Sequence, residues 1–199
     1  MRELIYYVAT TLDGFIAHED GSFAGFPWDD AYGADLFASF PETIPPQLLG
    51  RAITRADNKW FDAVLMGRKT YEVGLQVGIT SPYPTLDQYV FSRTMPASPE
   101  AQVTLVTENA IEVVSALKQE PGKAIWLCGG GDLATTLRAA GLIDKLILKL
   151  NPVLFGAGIP LFSGGTKQTA LALTDHKIYK SGHALLHYQV NPPALSEPS

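Results

Sequence analysis

The chain alternates short apolar runs with stretches of helical period. Leu4 to Thr11 is almost continuously apolar and rich in aromatic and β-branched residues, the pattern of a strand buried on both faces, and it stops at the turn pair Asp13-Gly14. Similar runs recur at Ala63 to Met66, Tyr89 to Phe91, Val103 to Val106, Ala124 to Leu127 and Lys145 to Leu150. Such alternation predicts an α/β fold, a three-layer α/β/α sandwich about a mostly parallel, mixed central sheet. A helix is expected after Asn109, capped by its side chain with Glu112 reaching back, with Ile111, Val114 and Leu117 on one face and Pro121-Gly122 at its end. Another is expected from Asp132 to just before Gly141, and two more over Ala34 to Phe40 and Gln47 to Asp57. Leu171 to Tyr179 and Ala184 to Val190 alternate apolar and polar residues around Ser181-Gly182, which predicts a C-terminal antiparallel hairpin.

Length and composition narrow the picture. The 199 residues, 46% hydrophobic and 18% charged, suit a single domain over 1–190, and the proline-rich segment 191–199 is expected to be a disordered tail. Cys128 is the single cysteine, so no internal disulfide can form and a reducing cytoplasm fits best. Lys149, Asn151 and Pro152 interrupt the most apolar stretch, so neither a membrane helix nor any membrane association is expected. The net charge is −5 and the cations are scattered, which argues against a nucleic-acid partner. His183 and His187 would lie about 13 Å apart along a strand, too far to share an ion, and no metal site is expected.

Candidate chemistry gathers at strand ends. Gly129-Gly130-Gly131-Asp132-Leu133-Ala134 follows one strand and opens a helix, where glycines let backbone N–H groups approach a phosphate and the helix dipole favours an anion. A tight turn packing helix against sheet would use the same residues. Met66-Gly67-Arg68-Lys69-Thr70 and Ser92-Arg93-Thr94 follow two other strands and add cations and hydroxyls suited to phosphate, although solvated basic residues at a helix start would look alike. In an open α/β sheet ligands bind at the carboxyl ends of strands, so one extended phosphorylated cofactor accounts for all three segments together. Two arginines near a nucleotide point to a 2′-phosphate, hence NADPH.

The ordered segments Ala9 to Ala17 (ATTLDGFIA), Pro27-Trp28, Met66 to Glu72 (MGRKTYE), Phe91-Ser92-Arg93 and Gly129-Gly130-Gly131 resemble dihydrofolate reductase and its relative, the reductase domain of bifunctional riboflavin-pathway deaminase-reductases. The resemblance runs from Leu4 to Val190, and Asn151 to Phe162 (NPVLFGAGIPLF) is closer to the riboflavin-type branch. It implies the dihydrofolate-reductase-like fold, a homodimer, and an NADPH-dependent reductase acting on a pteridine-like or pyrimidine-like heterocycle. By the same resemblance Ala9 and Ile16 flank the nicotinamide. Gly67, Arg68, Lys69 and Thr70 form a cofactor-phosphate turn, Ser92 and Arg93 hold the 2′-phosphate, and Gly129, Gly130, Gly131, Asp132 and Leu133 form the pyrophosphate loop. A carboxylate on the first helix would orient the substrate, for which Asp35 and Asp30 are the candidates, with Asp29 as a competitor; each could equally complement the helix dipole. Reduction of 5-amino-6-(5-phosphoribosylamino)uracil is an alternative, weakened by the lack of any Lys or Arg from Tyr71 to Asp87. A non-catalytic NADPH-binding module is a further one.

Overall fold

In the computed structural model, which describes residues 1–50, 52–164 and 168–190, β1 (Leu4–Thr11) runs through the interior of an eight-stranded sheet. Its side chains divide by the two-residue period: Leu4, Tyr6 and Val8 enter one apolar cluster, Ile5 and Tyr7 the other. Burial of both faces is what makes this segment read as one unbroken apolar run.

The other strands of the sheet are β3 (Phe61–Gly67), β4 (Asp87–Phe91), β5 (Val103–Val106), β6 (Ala124–Gly129), β7 (Lys145–Asn151), β9 (Leu171–Ile178) and β10 (Ala184–Val190). They lie in the order β5-β4-β3-β6-β1-β7-β10-β9. β5 to β7 are mutually parallel, and β9 and β10 close the sheet as the expected antiparallel hairpin. Helices cover both faces, as the sandwich predicts. Tyr32 and Leu36 of α1 (Asp30–Ser39) and Tyr71 of α3 (Arg68–Gln76) join the cluster that holds Tyr7. Val114 and Leu117 of α4 (Ala110–Gln119), with Leu133, Ala134 and Leu137 of α5 (Gly131–Ala139), join the one that holds Tyr6. A separate two-stranded sheet, unforeseen in the sequence, pairs β2 (Phe15–Ala17) with β8 (Ile159–Pro160). Among the described residues no helix is long and apolar enough to cross a membrane.

Several local expectations are corrected. The helix expected over 47–57 is only α2 (Pro46–Leu49), because Gly50 enters the left-handed region at φ 63 and ends it; Arg55–Asp57 is a separate 3-10 turn. Asn109 does not cap α4 with its side chain, since it sits at φ 55 and makes no capping bond, and Ile111 faces outward at 44% exposure. α1 begins earlier than expected because Asp29 accepts a hydrogen bond from the Tyr32 N–H at 2.8 Å and fixes the first turn. β9 is exposed along its whole length, so Leu171, Leu173 and Ile178 contribute nothing to the core despite their alternating pattern. The tail expected at 191–199 lies outside the described residues.

An aromatic cluster ties the middle strands together. The Phe61 ring packs against Tyr7, Phe40, Trp60 and Trp126, and the Trp126 indole N–H donates to the Tyr7 carbonyl at 2.8 Å. Glu42 is buried beneath it, where its Oε1 accepts from the N–H groups of Trp60 and Phe61 at 2.6 and 2.8 Å. Phe61→Ala should lower unfolding free energy by about 3 to 5 kcal/mol, the range for an aromatic lost from a close-packed core; urea denaturation followed by circular dichroism measures it.

Candidate functional site

Because the central strands are parallel, the carboxyl ends of β1, β3, β4 and β6 meet at one edge of the sheet, and there a cleft of about 1280 Å³ opens. β3 passes directly into α3 at Gly67-Arg68, and β6 turns into α5 through Gly130. Neither helix start receives a side-chain cap, so their first-turn N–H groups remain available as donors. Gly67 to Thr70 and Gly129 to Leu133 all line the cleft, which therefore carries two positive helix ends.

Glycine is what allows the two turns to touch. Gly130 has φ 105, and a Cβ on it would come within 3.3 Å of the Gly67 Cα; one on Gly129 would come within 3.1 Å of the Thr70 hydroxyl. Any side chain here would push the loops apart.

The cations differ from one another in their commitments. The Arg68 guanidinium donates to both carboxylate oxygens of Glu72, at 2.7 and 3.0 Å, one turn along its own helix, so the fork expected to be free is already engaged. Lys69 and Arg93 are exposed and have no ion-pair or hydrogen-bond partner among the described residues. The Ser92 hydroxyl, buried, accepts from the N–H groups of Thr94 and Met95 at 3.2 and 2.9 Å and so shapes the turn that presents Arg93. Ala9 and Ile16, on β1 and β2, complete the lining. Every residue expected to hold the cofactor thus faces one cleft.

The expected acids do not. Neither Asp35 nor Asp30 lines the cleft, and Asp29 is the α1 cap. Asp35 pairs with Lys177 and accepts from the Tyr179 hydroxyl at 2.8 Å, both from the C-terminal hairpin, and the Lys177 hydrogen bond first, then that of Tyr179, holds its carboxyl below the ordinary range. A carboxyl kept ionised in this way is a poor proton donor at neutral pH. Asp30 accepts from the exposed Trp28 indole at 3.2 Å. From α1 it is Tyr32 and Leu36 that reach the cleft.

Lys149, which in the sequence interrupts an apolar stretch, also belongs to the cleft. On β7, in register with Ala9, Lys149 lines the cleft with its Nζ 4.3 Å from the centroid of the Tyr7 ring. Burial depresses its pKa to about 8. Cys128 and Tyr83, in contact at 3.9 Å, line the same region; burial pushes the thiol up to about 11 and the phenol well above its usual value. The available signal is a lysine in the middle of the apolar run Lys145 to Leu150, where a charge breaks the pattern of a strand buried on both faces.

Comparison with known proteins agrees with this architecture. The family model described as the RibD C-terminal domain matches residues 2–186. The uncharacterized protein YwjB of Bacillus subtilis is 33% identical over 188 residues, covering 94% of this chain and 97% of that one. Among solved structures, a Shewanella sp. PV-4 protein ascribed to riboflavin biosynthesis superimposes with a TM-score of 0.69 at 22% identity, over 96% of this chain and 100% of that one. A diaminohydroxyphosphoribosylaminopyrimidine deaminase/5-amino-6-(5-phosphoribosylamino)uracil reductase of Thermotoga maritima gives 0.62 at 14% identity, over 96% of this chain and 57% of that one.

Gly130→Ala should cost about 1 to 3 kcal/mol of stability, the range for a non-glycine residue forced into such a conformation. A parallel urea titration of the wild type and the variant would show it, and an unchanged midpoint would mean that the turn relaxes without strain.

Proposed function

The chain belongs to the RibD C-terminal domain family, and from that premise we propose that it is an NADPH-dependent reductase that transfers a hydride to a pteridine-like or pyrimidine-like heterocycle. The observation that carries this reading is the convergence of three strand ends, at Gly67-Arg68, Ser92-Arg93 and Gly129-Gly130-Gly131, on one cleft. Two uncapped helix starts and two unpaired cations, distributed along one edge, suit an extended ligand with several phosphates better than a compact anion.

In this reading Gly129 to Leu133 receive the pyrophosphate on the α5 N-terminus, and Gly67 to Thr70 hold the phosphates from the opposite side. Ser92 and Arg93 take the 2′-phosphate, for which the exposed, uncommitted Arg93 is better suited than Arg68, already bound to Glu72. Ala9 and Ile16 flank the nicotinamide, which when bound supplies the hydride. The chain's own contribution is to hold that ring between β1 and β2 and to exclude water with the aromatic walls Tyr32 and Tyr83. The single cysteine is consistent with a reducing cytoplasm, and the family likeness with a homodimer.

A pyrimidine substrate is favoured by the name of the Thermotoga maritima relative. The phosphoribosylated uracil itself is less well accommodated, because the segment between Tyr71 and Asp87 carries no cation for a substrate phosphate.

Calorimetric titration with NADPH and NADH tests the reading. Arg93→Ala should weaken NADPH binding by about 1 to 3 kcal/mol, as for a charge-assisted phosphate contact, while leaving NADH nearly unaffected. The loss in Arg68→Ala should be smaller, since Glu72 already competes for that guanidinium. No heat with NADPH, or an equal loss for both nucleotides in Arg93→Ala, would reject it.

A further inference from the structure

The cleft is chemically lopsided. Donors suited to phosphate occupy the ends of β3, β4 and β6, whereas on the far side of β1 the cation is Lys149 of β7, beside Asn151, whose amide N–H groups donate to the Thr10 and Lys149 carbonyls. Around it stand flat or apolar walls, Tyr32, Leu36, Tyr83 and Cys128, with the ring of Tyr7 against its ammonium. Among the described residues its Nζ has neither a hydrogen bond nor an ion pair. An ammonium offers three donors, and for this half-buried lysine one aromatic face answers only part of that need.

Among the described residues no carboxylate balances it. The acids that line the cleft, Glu19 and Asp132, are both exposed, and Asp35 is taken up by Lys177 and Tyr179. A ring that must be held as a cation would therefore meet a like charge here and find no counter-ion. A ring bearing an anionic or strongly accepting oxygen would meet three free donors and aromatic surfaces on which to stack.

Building on the reductase reading, we propose that Lys149 is the substrate anchor, and that the substrate is a flat heterocycle presenting an anionic or strongly accepting oxygen rather than a ring bound as a cation. Tyr7 of β1, Tyr32 of α1, Tyr83 and Cys128 of β6 are all raised by burial and stay neutral near neutrality. Lys145, on the same strand, is paired with Glu3 at 2.9 Å, and on neighbouring β10 burial lowers the pKa of His187. His183, between β9 and β10, stacks on the Tyr32 ring and is held by the Ser181 hydroxyl and the Pro27 carbonyl. Lys149, its pKa depressed by burial to about 8, is cationic below that pH and neutral above it.

The test uses two small pyrimidines as probes, orotate as the anionic ring and 2,4-diaminopyrimidine as the ring that binds as a cation. Binding is measured by calorimetry on the full chain, free and saturated with NADP⁺, for the wild type, Lys149→Met and Lys149→Arg. Wild-type protein should bind orotate more tightly than the diamino ring, and Lys149→Met should weaken orotate on the order of tenfold or more, as expected when one charge-assisted hydrogen bond is lost. Lys149→Arg should retain part of that affinity. Orotate affinity should fall as pH rises through about 8 in the wild type and stay flat in Lys149→Met.

NADP⁺ binding, measured first in each protein, separates the two ideas and reports folding. If NADP⁺ does not bind the wild type, the reductase reading fails. If NADP⁺ binds to both proteins but orotate binds no better than 2,4-diaminopyrimidine, or equally well to Lys149→Met, the anchor is overturned while the reductase reading stands.

Discussion

The whole site depends on one steric condition, the near contact of two glycine turns at the carboxyl edge of the sheet. A Cβ on Gly130 would crowd the Gly67 Cα, and one on Gly129 would crowd the Thr70 hydroxyl. Because those side chains are missing, α3 and α5 begin side by side, and their uncapped N–H groups face the same space. Two helix dipoles then add at one place in a chain whose net charge is −5. The positive potential at this edge is local and arises largely from backbone, in a protein that is acidic overall.

Around this fixed point the cations fall into different roles. Arg68 is braced by Glu72 along the helix face, which orients its guanidinium but reduces the charge it can offer. Arg93 is held out by a turn organised on the buried Ser92 hydroxyl and has no ion-pair partner among the described residues. Of two arginines equally promising in sequence, the geometry thus distinguishes a positioned residue from an uncommitted one.

The opposite end of the cleft inverts the chemistry expected from the family likeness to dihydrofolate reductase. There the first helix should contribute an acid, but α1 commits Asp29 to its own cap and turns Asp35 toward Lys177 and Tyr179. Helical phase leaves Tyr32 and Leu36 facing inward. The polar side chains that line this end, Lys149 and Asn151, belong to β7, which lies between β1 and β10.

The layered fold, its parallel core and its closing hairpin were legible from periodicity alone, because burial on two faces, one stripe or one face each leaves its own spacing of apolar residues. The glycine turns and the residues beside them were legible too, since a strand-to-helix junction is a local event and its chemistry lies in consecutive residues. Not legible were the pairing of β2 with β8, the early end of α2 at Gly50, the exposure of β9 and the phase of α1, all of which depend on what a segment meets after folding. Lys149 belongs with these: in sequence it is a flaw in an apolar strand, 140 residues from Ala9, and only the register that sets the two side by side makes it part of a site. Local spacing records which face of an element is buried. Which distant residues share a cavity is decided by strand order, and strand order is a property of the assembled sheet.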